Sequence, residues 1–289
     1  MSIVLSGLSK HYSKTLALDH ISLTINPGIH GLLGSNGAGK TTLMRILATI
    51  LNSDAGEITW GDAVNWKRPG SVKGLLGYLP QQFGMYKHLR VEEALRCVAL
   101  LKDIPKEQEE AQVKLVMEQM NLEQYARRKV GQLSGGMLRR LGVAQAMLGN
   151  PKLLILDEPS VGLDPEERIN LRKTIRDYAA RDRIVLISSH IVSDVESLCD
   201  EVSIMHHGKI LVSGNTREVQ TAAANKVREE LLSEGALRAL EKTNTIIQFA
   251  PDNGEYRVRY LTDEPLVQST VTPTLEDSYT YIIKKDQKA

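Results

Sequence analysis

The 289-residue chain carries 36 basic and 35 acidic side chains, which gives a formal net charge of +1 at pH 7. Apolar residues make up 42% of the sequence and charged residues 25%, so the composition excludes a disordered or fibrous protein. It allows one large α/β domain with a small appendage, or two modest domains. The sequence has no basic cluster typical of nucleic-acid binders and no apolar window of about 18 residues. We therefore expect no nucleic-acid partner and no membrane-spanning helix.

The chain has two cysteines, Cys97 and Cys199, each within an apolar, helix-like pattern. Neither has a metal-ligating neighbour. We interpret both as reduced core thiols of a cytosolic protein. The first residues also lack the long apolar stretch of a secretion signal.

The first elements alternate between strand-like and helix-like patterns. Residues 16–25 alternate apolar and polar side chains, as a half-buried strand does. Residues 29–33 form a short apolar strand, and apolar residues at helical spacing follow from 40 to 51. A strand, a glycine loop and a helix thus follow each other.

The glycine loop between this strand and helix reads GSNGAGKT, from Gly34 to Thr41. Glycines allow backbone N–H groups to turn inward around a phosphate at the N-terminus of the helix. In this pattern Lys40 reaches the β- and γ-phosphates of a nucleotide, and the Thr41 hydroxyl binds Mg²⁺. The sequence therefore predicts a nucleotide site here.

Residues 88 to 150 form a run of helical patterns, predicted as helices over 91–101, from Pro105 to 120 and over 137–148. Gly149, Asn150 and Pro151 end the last of them. We expect its buried face to contain Leu138, Leu141, Ala144 and Leu148. This region reads as a helical insertion in an α/β domain.

Two unbroken apolar runs, KLLILDEP and RIVLISSH, predict parallel strands that are buried on both faces. The segment between them predicts a crossover helix, with Asp164 as its cap and Pro165 at its first position. The repeated strand–helix–strand order predicts a parallel sheet.

Three polar residues end these runs, where α/β sheets bind their ligands. We predict that Asp157 binds Mg²⁺ through water and that Glu158 orients or deprotonates an attacking water. His190 has the chemistry to donate a hydrogen bond to a γ-phosphate. By itself, a histidine at a strand end is more often simply solvated.

A second glycine-rich stretch, QLSGGMLRR, spans residues 132 to 140. Gly135 and Gly136 precede a helix, so Ser134 and the nearby N–H groups predict an anion site at that helix N-terminus. Beyond about residue 220 the pattern changes. There, TIIQF and YRVRYL are separated by APDNGE and predict a hairpin. We place a domain boundary near 220.

Seven motifs occur in a fixed order. They are Tyr12 ahead of the first strand, GSNGAGKTT, Gln81 in YLPQ, LSGGM, LLILDE, SVGLD and His190. In this order the chain resembles the nucleotide-binding subunit of an ATP-binding cassette (ABC) transporter over residues 1–220. The resemblance implies an α/β P-loop NTPase fold with a mixed or parallel core sheet, a helical subdomain at about 83–150, and a small C-terminal α+β domain at 221–289.

The resemblance also implies a role for each matching residue. Catalysis falls to Glu158, His190 and Gln81, and metal binding to Thr41, Gln81 and Asp157. Gln82 is the alternative register for the glutamine. Tyr12 stacks on adenine, and Asp164 links the two sites of a dimer. The nucleotide-binding residues implied are Tyr12, Ser35, Asn36, Gly37, Ala38, Gly39, Lys40, Thr41, Thr42, Ser134, Gly135, Gly136 and Asp164.

The family's arrangement implies that the LSGGM motif of one chain closes over ATP and Mg²⁺ held by the phosphate loop of a second copy. The implied activity is ATP hydrolysis that powers a separate membrane permease, from the cytoplasmic face of the membrane. Met137 replaces the family's glutamine. LSGGM with its basic pair is similar to export-type cassettes, and the tail resembles their C-terminal domain, with a generic α+β appendage as the alternative. A soluble cassette ATPase acting on DNA or ribosomes and a non-hydrolysing regulatory cassette remain alternatives for function.

Overall fold

A computed structural model describes residues 1–61, 64–66, 68, 70–180, 182–262 and 271–288 of the chain. The chain divides into two compact units, residues 1–210 and residues 211–289. This division falls ten residues before the boundary that the sequence predicts near 220. The two units are described separately below.

Among the described residues, ten strands begin within the first unit, and the last of them continues past residue 210. The strands are β1 (Ile3–Tyr12), β2 (Thr15–Ile25), β3 (Gly28–Leu33), β4 (Ala55–Trp60), β5 (Val64–Asn65), β6 (Leu76–Leu79), β7 (Leu153–Asp157), β8 (Ile184–Ser189), β9 (Glu201–His206) and β10 (Lys209–Asn215). The helices of this unit are α1 (Lys40–Leu47), α2 (Gly70–Lys73), α3 (Val91–Leu101), α4 (Lys106–Gln119), α5 (Gly135–Met147), α6 (Pro165–Ala179) and α7 (Val192–Leu198). Short 3₁₀ turns occupy Glu123–Tyr125 and Val130–Gln132.

The core sheet places β9, β3, β8, β7 and β6 side by side in that order, and each of these neighbouring pairs is parallel. Strands β7 and β8 are buried at every residue, as their unbroken apolar runs predict. Because parallel strands end at one edge of a sheet, this edge receives the loops that follow β3, β6, β7 and β8. The parallel sheet predicted from the sequence is therefore present.

A second, antiparallel sheet has the strand order β2-β1-β4-β5. Its apolar face packs with α1 and the core sheet in one hydrophobic cluster. The predicted strand over 16–25 is confirmed as β2. One expectation was wrong: Tyr12 does not precede the first strand, because it is the last residue of β1.

The helical insertion is confirmed in α3, α4 and α5. Pro105 caps α4 instead of opening it. On α5, Leu141 and Ala144 are buried as predicted, but Leu138 is only half-buried, and Met137 and Arg139 take part in the buried face. Among the residues that the structure describes, no helix is long and apolar enough to cross a membrane.

The two cysteines differ in their surroundings. Within the part of the chain that the structure describes, neither cysteine forms a disulfide. Cys199 is buried, and burial raises the pKa of its thiol. Cys97 is exposed on α3, so its prediction as a core residue is wrong. It lies on the solvent side of an amphipathic helix, whose apolar texture alone does not assign the face.

The second unit is built on an antiparallel sheet with the strand order β11-β13-β12. Its elements are α8 (Thr216–Gln220), a 3₁₀ turn (Thr221–Ala223), β11 (Val227–Leu232), α9 (Glu234–Leu240), β12 (Thr245–Asp252), β13 (Glu255–Leu261) and α10 (Leu275–Lys288). The predicted hairpin is confirmed, with Asn253 and Gly254 at its turn in positive-φ conformations. The buried Asp277 of α10 accepts hydrogen bonds from Arg259 of β13, which joins helix and sheet.

Candidate functional site

The phosphate loop leaves the end of β3 and enters α1. Gly37 and Gly39 adopt φ values of +84° and +106°, a region that side-chain-bearing residues rarely occupy. A Cβ on Gly39 would lie 2.7 Å from the Ala17 carbonyl oxygen, so only glycine fits there. No side chain caps α1 at Gly39, and its first turn contains no acidic residue. The loop therefore leads into a helix N-terminus, whose first N–H groups have no partner within the helix and can bind an anion.

Lys40 holds the loop from inside. Its side chain is buried, and its Nζ donates hydrogen bonds to the carbonyl oxygens of Gly34 at 2.7 Å and Ser35 at 3.1 Å. Burial lowers the pKa of Lys40, and the nearby Glu158 and Asp157 carboxylates oppose that shift. The loop and the two carboxylates at the end of β7 are therefore electrostatically coupled within one site.

Asp157 ends β7 with a fully buried side chain. Its Oδ1 accepts a hydrogen bond from the Ser188 hydroxyl at 2.5 Å, whereas its Oδ2 is buried with no hydrogen-bond partner in the described part of the chain. A buried carboxylate oxygen without a donor is costly. A cation such as Mg²⁺, which prefers oxygen ligands, would satisfy it. The donor set therefore fits a magnesium ion.

Glu158 has a backbone in the left-handed region, with φ of +53°. Its N–H donates to the Ser188 hydroxyl at 2.9 Å, and its Oε1 lies 3.0 Å from His190 Nδ1. The Glu158 side chain is buried, whereas that of His190 is 42% exposed. The site therefore holds a carboxylate and an imidazole in hydrogen-bond contact beside the phosphate loop.

Gln81 follows β6 in an exposed loop, as does Gln82. The carbonyl oxygen of Gln81 accepts a hydrogen bond at 3.0 Å from Arg139 on α5. The same guanidinium donates to the Glu158 carbonyl oxygen at 2.8 Å. The main chain of Gln81 is thereby joined to that of Glu158.

The LSGGM motif contains the start of α5, which begins at Gly135 and not, as predicted, after Gly136. Ser134 is the N-cap, and its Oγ accepts a hydrogen bond from the Met137 N–H at 3.1 Å. Ser134 and Gly135 are exposed, whereas Gly136 is buried against α6, where a Cβ would lie 2.4 Å from Glu167 Oε2. The Met137 side chain is buried, so an apolar residue suits the position at which the family has glutamine.

Asp164 caps α6 as predicted, with Pro165 at the first helical position. Its Oδ1 accepts a hydrogen bond from the Glu167 N–H at 2.8 Å, and Glu167 Oε2 in turn accepts from the Asp164 N–H at 3.3 Å. Glu167 also lies 3.2 Å from Arg140 of α5. The segment that carries Asp164 is therefore linked to the helix that follows LSGGM.

The structure brings together Lys40, Asp157, Glu158, His190 and the main chain of Gln81. Tyr12 is 44% exposed at the hairpin turn between β1 and β2. Sequence reasoning missed Ser188 and Arg139. For Ser188 the signal was a hydroxyl next to the end of a buried apolar run. For Arg139 it was a charge on an otherwise apolar face of α5.

Comparison with known proteins gives one consistent result. The family described as "ABC transporter" matches residues 18–161. The probable multidrug ABC transporter ATP-binding protein YbhF of Escherichia coli (strain K12) is 35% identical over 83% of this chain, and the matched region spans 42% of that relative's own length. The daunorubicin resistance ATP-binding protein DrrA3 of Streptomyces coeruleorubidus is 30% identical over 95% of this chain and 85% of its own.

The fold is also that of a solved structure. The dimeric bacterial ABC transporter cassette MJ0796 superposes with a TM-score of 0.67 at 20% sequence identity, covering 74% of this chain and 98% of its own. The chain belongs to the family of ABC transporter ATP-binding proteins. Its first unit is an ABC cassette with the α/β P-loop NTPase fold that the motifs predict.

Proposed function

We propose that this chain is an ATP-binding and ATP-hydrolysing subunit that powers a separate membrane permease, for export of a small molecule, peptide or lipid. The observation that carries the proposal is the contact between Glu158 and His190, next to a lysine-bearing phosphate loop and an Asp157 oxygen without a donor. Together these groups supply a base, a phosphate cradle and a cation ligand, which are the parts that ATP hydrolysis requires.

Substrate binding falls to the loop from Ser35 to Thr42. Its backbone N–H groups and Lys40 surround the phosphates of ATP, and Tyr12 stacks on the adenine. Asp157, the Thr41 hydroxyl and Gln81 hold Mg²⁺, which when bound neutralises charge on the β- and γ-phosphates. The Asp157 oxygen without a protein donor supports this assignment.

Hydrolysis falls to Glu158 and His190. Glu158 accepts a proton from the attacking water, which its buried carboxylate orients through hydrogen bonding. With both ring nitrogens protonated, His190 donates its Nδ1–H to Glu158 Oε1 and its Nε2–H to the γ-phosphate. Gln81 orders the same water from the opposite loop. The backbone of Glu158 is held by Ser188 and Arg139 before ATP binds, which favours catalysis because less reorganisation remains.

The complete site contains two copies of the chain. The exposed Ser134 and Gly135 of one copy face the γ-phosphate held by the phosphate loop of the other, and Asp164 lies between the sites. In support, Ser134 uses its oxygen lone pair for the helix cap, which leaves its O–H available to donate to a phosphate. The solved cassette with this fold is dimeric.

The names of two relatives support the proposed permease and direction of transport. YbhF is named as part of a multidrug transporter and DrrA3 as a daunorubicin resistance protein. We propose that this chain works at the cytoplasmic face of the membrane, bound to its permease. We assign residues 1–220 to the cassette and 221–289 to an accessory domain of exporters, in support of which the match to DrrA3 extends over 95% of the chain.

Dilution of the purified chain tests the shared site. At concentrations below the dissociation constant of the dimer, each halving of the protein concentration halves the turnover per molecule. Ser134→Arg abolishes turnover while each chain still binds ATP, because the arginine blocks the partner's γ-phosphate and not its own loop. Turnover per molecule that is independent of concentration, or loss of ATP binding in Ser134→Arg, would contradict the shared site.

A further inference from the structure

Arg139 is a buried arginine on α5 whose hydrogen-bond acceptors are main-chain carbonyl groups. Its side chain is 8% exposed. Nη1 donates to the carbonyl oxygens of Pro80 and Gln81, both at 3.0 Å. Nη2 donates to the carbonyl oxygen of Glu158 at 2.8 Å and to that of Asp157. A single guanidinium therefore spans the loop after β6 and the end of β7.

The location of this charge is unusual for an arginine. Burial lowers the pKa of Arg139, and the nearby Asp157 and Glu158 carboxylates oppose that shift. An arginine side chain stays protonated in proteins, so its charge is buried here against neutral carbonyl oxygens. The planar fork of the guanidinium matches two pairs of acceptors, which an ammonium does not do. An arginine therefore suits this position, because its guanidinium can fix two backbone segments relative to each other.

The Glu158 peptide is held from both sides. Ser188 accepts its N–H, and Arg139 binds its C=O. The backbone between these contacts has a φ of +53°, which costs a non-glycine residue free energy and persists only where neighbours enforce it. The direction of the Glu158 carboxylate depends on this backbone conformation.

We propose that Arg139 is a positioning residue, which sets the main chain of Gln81 and Glu158 relative to one another and to α5. The first turn of α5 contains Ser134 and Gly136, five and three residues before Arg139. This inference rests on the proposed function, in which this turn contacts ATP in the partner's site. Helix α5 then has a second role, within its own site. A shift of α5 on engaging the partner's ATP moves the general base of its own site through Arg139, so the two sites are coupled.

Two substitutions in the full-length protein test this role. Arg139→Met removes the donors, and turnover falls about 10²-fold, the loss expected when a catalytic group is displaced by about 1 Å. Arg139→Lys keeps the charge but loses the fork, and its turnover lies between those of Arg139→Met and wild type. In both variants the dissociation constant for ATP stays at the wild-type value, because the phosphate loop is untouched. Arg96→Lys on α3, which replaces a surface ion-pair arginine, is the matched control and keeps wild-type turnover.

Hydrogen–deuterium exchange supplies a readout that does not depend on turnover. In Arg139→Met, peptides that cover residues 79–82 and 157–161 exchange faster than in wild type, whereas peptides from β1 and β2 are unchanged. Wild-type turnover in Arg139→Met, turnover and ATP affinity lost by the same factor, or unchanged exchange in the two segments would each overturn the proposal. Wild-type turnover that is independent of dilution would defeat the shared dimer site and, with it, the coupling of the two sites through α5. It would leave the positioning role of Arg139 intact, since the kinetic split and the exchange pattern test Arg139 within one chain.

Discussion

The phosphate loop is built differently from the carboxylate cluster beside it, which we define as Asp157, Glu158, His190 and the main chain of Gln81. The loop is one continuous stretch, from Gly34 to Thr42, whose internal lysine is held by carbonyl groups of the same stretch. The cluster combines groups from separate segments, which meet through Ser188 and Arg139. In the proposed function, nucleotide binding therefore depends mainly on local conformation, whereas the geometry of hydrolysis depends on tertiary contacts. The two functions are separable by substitution.

The largest expected effect tests directly whether nucleotide binding and hydrolysis can be separated by substitution. Glu158→Gln removes the base without changing its size, so turnover falls about 10²–10⁴-fold while ATP binding remains, and the ATP-bound dimer persists. Lys40→Met removes the buried ammonium, so ATP affinity itself is lost. Steady-state ATPase assays, ATP titration calorimetry and size-exclusion chromatography in Mg·ATP measure these three properties.

Glu118→Gln on α4 is the control for this pair, because it makes the same chemical change on an exposed ion pair with Lys114. It keeps turnover, ATP affinity and the dimerisation behaviour of wild type. Normal turnover in Glu158→Gln would show that Glu158 is not the general base. Undiminished ATP affinity in Lys40→Met would show that the loop does not depend on its lysine, and the separation would then be wrong.

The second prediction concerns the support of α5, which carries Arg139. Lys102 donates hydrogen bonds to the Leu148 carbonyl oxygen at 2.7 Å and to that of Ala146 at 3.3 Å, and burial lowers its pKa from 10.5 to about 8. Between these two pH values the unfolded chain binds more protons than the folded one. The contribution of Lys102 to the free energy of unfolding therefore rises with pH through this window, by up to about 3 kcal/mol.

Denaturant unfolding of wild type and Lys102→Met measures this contribution as a difference, which cancels the titration of other groups. The wild-type free energy of unfolding increases relative to that of Lys102→Met as the pH rises from about 8 towards 10.5. Lys114→Met, which removes a lysine with a 74% exposed side chain, is the matched control. A flat difference for Lys102→Met would mean that its buried ammonium carries no penalty.

The smallest expected effect comes from replacing Ser188, which joins Asp157 and Glu158 within the cluster. Ser188→Ala leaves the buried Glu158 N–H without an acceptor and Asp157 Oδ1 without a donor, so we expect a loss of about 1–3 kcal/mol of stability. Turnover falls as well, while ATP affinity stays at the wild-type value. Ser197→Ala, on the exposed face of α7, is the matched control. Thermal unfolding, ATPase assays and calorimetry on the same samples check it, and equal loss of affinity and turnover would contradict the separation of the two functions.

The sequence predicts the features that depend on local conformation better than those that depend on tertiary contacts. The phosphate loop, the buried strands β7 and β8, the caps at Ser134 and Asp164, and the C-terminal hairpin each depend on residues close together in the chain, and each is present. Local rules for glycine, capping and alternation suffice there. The first strand β1 was not predicted, because its polar residues interrupt the apolar pattern that identifies β2.

What the sequence does not reveal depends on long-range contacts. The partners of Arg139 are 18 to 59 residues away in the chain, and no periodicity relates them. Burial of a basic residue also contradicts the usual preference of arginine for the surface. The exposed Cys97 gives the opposite error, since an apolar neighbourhood does not fix which side of a helix faces the core.

The left-handed backbone of Glu158 has a consequence for the evolution of the chain. A carboxylate carried on this conformation makes the protein less stable than a glycine at the same position would, because glycine adopts it without penalty. If thermal stability were selected and transport were not, residue 158 would therefore tend to be replaced by glycine. The presence of glutamate at this bend therefore supports the proposed catalytic role of Glu158, since stability alone would favour a different residue.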